Sequence, residues 1–213
     1  MTAIIATNNG GGVNYDPAPQ GNHVARCISM VHIGTVEEEY LGEKKMQNKV
    51  RITWELPEEK KVFKEENGEQ PFVLSKEFTL SMHEKSTLRK WLESWRGKAF
   101  TEDESKQFDV AKLVGAPCLL NVIHKEKKDG NKRADIASVS TMPKGMVCPD
   151  VINPTVIFSV NDFNQQIFDT FPDFIKDKIK SSREFKAMQQ PNVVEIAPAP
   201  ADGMADGTED LPF

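Results

Sequence analysis

Three successive segments of this chain alternate apolar and polar side chains with a period of two, and the period then changes to that of a helix. Val50, Ile52, Trp54 and Leu56 fall on one face of an extended segment and Arg51, Thr53 and Glu55 on the other, so residues 49–56 read as a half-buried strand. Within residues 23–33, Val24, Arg26, Ile28 and Met30 alternate with Cys27 and Ser29, and within 72–82 Phe72, Leu74, Phe78 and Leu80 recur at even spacing. The spacing turns helical at Leu88, Trp91, Leu92 and Trp95, behind the cap residues Ser86 and Thr87 and ahead of Gly97. Thr101-Glu102-Asp103-Glu104 has the form of a capping box and predicts a second short helix, through Phe108, Leu113 and Val114 to Gly115. Residues 117–125 and 132–142 then read as two more strands, joined across Asp129-Gly130, a strong hairpin signal.

Three strands, a helix and two strands is the succession of a mainly β OB-fold: a five-stranded antiparallel barrel with an inserted helix between strands 3 and 4. It predicts one domain over residues 22–147, with a charged loop at 37–45 and a polar connection at 57–71 holding an Asn67-Gly68 turn. Before it, residues 1–21 are rich in Gly, Pro and Asn and predict a flexible arm, in which Tyr15 is the one aromatic. After it, Phe163, Ile167 and Phe168, then Phe174, Ile175, Ile179 and Phe185, predict a C-terminal helical extension over 148–188. Residues 189–213 carry Pro191, Pro198 and Pro200 and predict a disordered linker ending in an acidic tip.

At 213 residues the chain has room for one good-sized domain plus these appendages. The net charge of −5 is unevenly placed: the body is near neutral and the part after residue 147 is acidic. The amino terminus lacks the basic and long apolar regions of a secretory signal, and no run is long enough to span a bilayer, so a cytoplasmic protein without a membrane partner is expected. Cys27, Cys118 and Cys148 are odd in number and widely spaced, which argues against a disulfide framework and against a zinc site.

No set of reactive residues converges on a reaction. His23, His32, His83 and His124 are scattered, Gly10-Gly11-Gly12 follows no strand, and no phosphate loop is present, so no enzyme, cofactor or metal is expected. Cations instead gather at the two loops that an OB-fold lays along an oligonucleotide. Lys125, Lys127, Lys128, Lys132 and Arg133 line the fourth-to-fifth hairpin, and Lys44, Lys45, Lys49 and Arg51 flank the first-to-second loop. Such groups pair with phosphates and release counterions. Tyr40 and Phe63 lie between charges and are the candidate rings for stacking on bases, whereas Trp54, Phe72, Phe78, Trp91 and Trp95 fall on apolar faces and read as core.

The chain stops at Glu209-Asp210-Leu211-Pro212-Phe213. A barrel, a linker and an acidic tip ending in Pro-Phe resemble the bacterial single-stranded DNA-binding proteins. Trp95-Arg96-Gly97, Phe100-Thr101 and Leu113-Val114-Gly115-Ala116-Pro117-Cys118 look more like phage-encoded single-strand-binding and replication proteins. The resemblance implies a protein that coats and protects single-stranded DNA in replication, recombination and repair. It also implies that Phe213 is the ring buried in a partner enzyme's pocket, with Leu211 and Pro212 beside it and Glu209 and Asp210 meeting a basic rim. The long second-to-third connection and the added segment 161–188 depart from that family's compact tetramer, so the subunit count does not carry over and a homo-oligomer stays open. Two other expectations compete: a phage adaptor whose barrel binds protein, and an annealing or recombination factor.

Overall fold

The computed structural model describes residues 16–40, 42–127 and 130–190. Its framework is a long ribbon of two strands, β1 (Gly21–Tyr40) and β2 (Glu43–Val62), in antiparallel register from Arg26 opposite Glu55 to Tyr40 opposite Glu43. The segment expected to be a charged loop at 37–45 is therefore mostly ladder. Glu38 stands opposite Lys45 and Glu39 opposite Lys44, so opposite charges face each other across the ribbon and favour pairing where no apolar face exists to drive it. β2 likewise runs past Leu56 through an irregularity and pairs Lys60 with Pro71 and Val62 with Glu69 of β3 (Glu69–Thr79). What the sequence presents as a polar connection at 57–71 shrinks to one turn of 3-10 helix, Glu65–Asn67.

The predicted helices form with their predicted caps. α1 (Thr87–Arg96) starts where the Ser86 side chain accepts the Arg89 N–H at 3.1 Å and stops at Gly97, whose φ of 68° is left-handed. α2 (Glu102–Lys106) carries the complete capping box of Thr101 and Glu104, but it ends at Gln107, and only a 3-10 turn, Val110–Leu113, continues toward β4. β4 (Pro117–Glu126) and β5 (Lys132–Ser140) complete a path of strands ordered β3-β2-β1-β4-β5.

A sixth strand, β6 (Val156–Ser159), opens the segment expected to be helical and pairs with β1 in parallel. β1 can serve both neighbours because it is bulged between Cys27 and Ser29 and again between His32 and Gly34. Each bulge bends the strand and raises its twist. Its first part, Gly21 to Arg26, pairs with β4, and its middle, Ser29 to His32, pairs with β6. The chain is thus mainly β, with six strands in one sheet that is antiparallel except at β6. Among the described residues the sheet does not close: β3 and β5, at its two ends, share no ladder. A side chain crosses between them instead, since Lys76 donates to the Ile136 carbonyl at 2.6 Å and lies 3.7 Å from Asp135.

Two apolar cores lie against this sheet. In the first, α1 sets Leu88, Leu92 and Trp95 against Trp54, Leu56, Leu120 and Val139, with the Trp54 and Trp95 rings 5.7 Å apart. In the second, Val31, Ile33 and Val36 of β1 meet Phe158 and Val160 and three short helices, α3 (Gln165–Asp169), α4 (Asp173–Ser181) and α5 (Arg183–Gln189). β1 passes from one core to the other along its length: Ala25, Cys27 and Met30 enter the first, and Val31, Ile33 and Val36 the second.

Polar clasps fix the carboxyl-terminal layer on the sheet. Glu55, fully buried, accepts the Ile152 N–H at 2.7 Å and two N–H groups of Asn153. Glu184 accepts the Thr35 N–H at 2.6 Å and its hydroxyl at 2.7 Å. Arg26 donates to the carbonyls of Gly115, Cys148 and Pro149. No helix among the described residues is long and apolar enough to cross a membrane.

Candidate nucleic-acid interface

The fourth-to-fifth hairpin carries a cluster of exposed positive charge. Lys125 stands opposite Arg133 and Glu126 opposite Lys132, and the turn is held by the Lys127 N–H donating to the Asn131 carbonyl at 2.8 Å. Lys127, Lys132 and Arg133 are exposed, and no carboxylate among the described residues lies within ion-pair distance of any of them. Lys125 differs, being paired with Asp135. Burial pushes the Asp135 carboxyl up, but the hydrogen bond from Lys125 and the charges of Lys76 and Lys125 outweigh it and hold the group below the usual aspartate range.

Across from these cations lies an aromatic pair. Phe63, just past the end of β2, sets its ring edge-on against Phe72 of β3 with centroids 5.1 Å apart, and both are half-buried. The two rings and Lys127, Lys132 and Arg133 line one groove of about 260 Å³, whose far side is Asp16 to Ala18. The end of the amino-terminal arm is thus held in place. Ala18 is buried, its carbonyl is 2.8 Å from the His124 ring, and Asp16 pairs with Lys61 at 2.6 Å.

The sheet therefore brings together Phe63, Lys127, Lys132 and Arg133 of the residues expected from the sequence. The four cations expected on the β1–β2 ribbon do not line that groove, and each has a carboxylate partner. Lys44 pairs with Glu37 at 2.8 Å and Lys45 with Glu43 at 2.7 Å, both in the open. Lys49 is buried and lies 2.7 Å from Glu38, while Arg51 lies 3.2 Å from Glu77. Lys178 of α4 joins both carboxylates, at 3.0 Å from Glu38 and 2.5 Å from Glu77. Burial would raise the Glu38 carboxyl, but hydrogen bonds from Lys49 and Lys178 bring it below the usual glutamate range. Tyr40 closes the ribbon in register with Glu43, and its side chain lies outside what is described. Lys128 and the tip residues Glu209, Asp210, Leu211, Pro212 and Phe213 lie outside the described residues.

Phe72 belongs to the groove although its strand parity assigns it to the core. Both hold, because it packs on the first core and still shows an edge at the end of the sheet where β3 and β5 part. Local periodicity has no means of marking such a place. A second groove, of about 290 Å³, opens on the outer face of β1 to β3, where Arg51, Thr53 and Ser75 face Phe171, Pro172 and Phe174. The three cysteines are free and buried; burial pushes the Cys27 thiol up to about 12, which keeps it protonated. No three His, Cys, Asp or Glu among the described residues are placed to hold a metal ion. No protein-family model matches the sequence, and no curated protein matches it.

Proposed function

We propose that this chain is a single-stranded DNA-binding protein built on an OB-fold, acting without catalysis to coat and protect exposed strands. The observation that carries this reading is the groove in which the Phe63 and Phe72 rings face Lys127, Lys132 and Arg133. Cations track a phosphate backbone while flat rings receive bases of any sequence, the combination that sequence-independent single-strand binding needs. The strand order β3-β2-β1-β4-β5, with α1 and α2 between β3 and β4, supports the OB assignment, and OB barrels are often partly open. The resemblance of the tip Glu209-Asp210-Leu211-Pro212-Phe213 to the bacterial family supports a second role, the recruitment of replication, recombination and repair enzymes, and a phage source.

A band shift with poly-dT against duplex DNA across a range of salt tests the reading. Tight single-strand binding that weakens steeply with salt, with little duplex affinity, is the expected result. Binding to neither overturns it and leaves the protein adaptor. Accelerated annealing of complementary strands would instead favour the recombination factor.

A further inference from the structure

Phe174, in the first turn of α4, is the only Phe or Trp among the described residues whose side chain is exposed, at 59%. Its neighbour Ile175 turns into the second core, which leaves Phe174 at the rim of the layer, over the sheet. The Arg51 guanidinium lies 5.4 Å from the ring centroid, and the fork is held by Glu77. Beside the pair runs the groove of about 290 Å³, bounded by Pro154 and Pro172. Thr53 and Ser75, whose hydroxyls meet at 3.0 Å, supply its polar floor.

This groove lies beside the basic one along β3. Val73, exposed on β3, lines the basic groove, and Ser75, two residues on and on the same face, lines this one. Alternate residues of a strand are about 7 Å apart. The ion network around Arg51 carries surplus positive charge, because three cations, Lys49, Arg51 and Lys178, share two carboxylates, Glu38 and Glu77. A flat ring beside a guanidinium, in a groove near a cationic hairpin, matches a base and its phosphate better than an apolar peptide.

We infer that Phe174 is a base-stacking platform, supplied by the carboxyl-terminal layer, which extends the single-strand site from the hairpin across the outer face of β3 and β2 to Arg51. The inference rests on the nucleic-acid-binding reading and adds to it an aromatic residue from outside the barrel. Phe174→Ala and Phe174→Trp in the full chain test it, with fluorescence anisotropy on a dT oligomer at several salt concentrations. Phe174→Ala should weaken binding roughly tenfold, as expected when a stacked base loses its ring, without changing the salt slope, and Phe174→Trp should restore affinity. Photocrosslinking with bromodeoxyuridine oligomers should attach the α4 segment in the unsubstituted protein. If the unsubstituted protein binds dT and Phe174→Ala binds it equally well with no α4 crosslink, Phe174 is no platform. If the unsubstituted protein does not bind dT, the DNA-binding reading falls and the inference with it.

Discussion

Glu55 holds Asn153 twice over: the backbone N–H and the side-chain amide of Asn153 both donate to the same carboxylate oxygen, at 2.9 and 2.7 Å. The second oxygen takes the Ile152 N–H, so one fully buried acid on β2 anchors the bend that leads into β6. Glu55→Gln replaces an acceptor with a donor facing N–H groups. It should cost about 1–3 kcal/mol, read as a lower urea midpoint with an unchanged denaturant slope. A midpoint equal to that of the parent would show that the clasp contributes nothing.

Gly34 tests the other clasp. Its φ of 99° is left-handed, and an added Cβ would lie 2.7 Å from the Glu184 carboxylate and 2.9 Å from the Ser182 Cβ. Gly34→Ala should therefore lower the thermal midpoint by several degrees, combining backbone strain of about 1–3 kcal/mol with displacement of α5. Gly42→Ala, also left-handed at 80° but with nothing within 4 Å, isolates the strain alone and should cost less.

Acid should loosen the carboxyl-terminal layer. Burial would raise the carboxyls of Glu38 and Glu184, but their hydrogen bonds, from Lys49 and Lys178 and from Thr35, hold both below the ordinary glutamate value of 4.5. A depressed folded-state value means that the unfolded chain binds more protons over that interval, so stability rises with pH there. The contribution is complete well above pH 4.5 and is lost as the pH falls through the lower folded-state values. Urea midpoints should hold steady from about pH 7 to 5 and fall below that, and Glu184→Gln should shallow the fall.

Reversing charge at Lys127, Lys132 and Arg133 together should weaken single-strand binding for every sequence and flatten the salt slope by about two. Reversal at Lys44 and Lys45 should do less, since both already face carboxylates. Equal effects from the two sets would move the site toward the ribbon.

The sequence announces elements whose signals are local and hides those that depend on distant partners. Ser86 and Gly97 bracket α1 because capping is settled within a turn, and the alternation of Val50 to Leu56 marks the middle of β2. The outer half of the β1–β2 ribbon reads as loop because its residues are charged on both faces, and only the pairing of Glu38 and Glu39 with Lys45 and Lys44 shows otherwise. Among site residues, Lys132 and Lys49 look alike as charges in a string of letters. What separates them is a carboxylate, Glu38, which lies upstream of Lys49 and is brought alongside it by the ribbon. Phe174 reads from spacing as one more apolar helix residue, and only the position of α4 over Arg51 sets it apart.

The double partnership of β1 also sets an order of events. On the edge turned away from β2, Ser29 to His32 find a ladder partner only in Val156 to Ser159, so this edge stays open while most of the intervening chain is being made. An open edge is a template for a neighbouring chain, and the bulges on either side of it shorten the run that a stranger could match. Assembly that waits for its late strand in this way is slow, and a chain cut short before residue 156 is left with an adhesive edge.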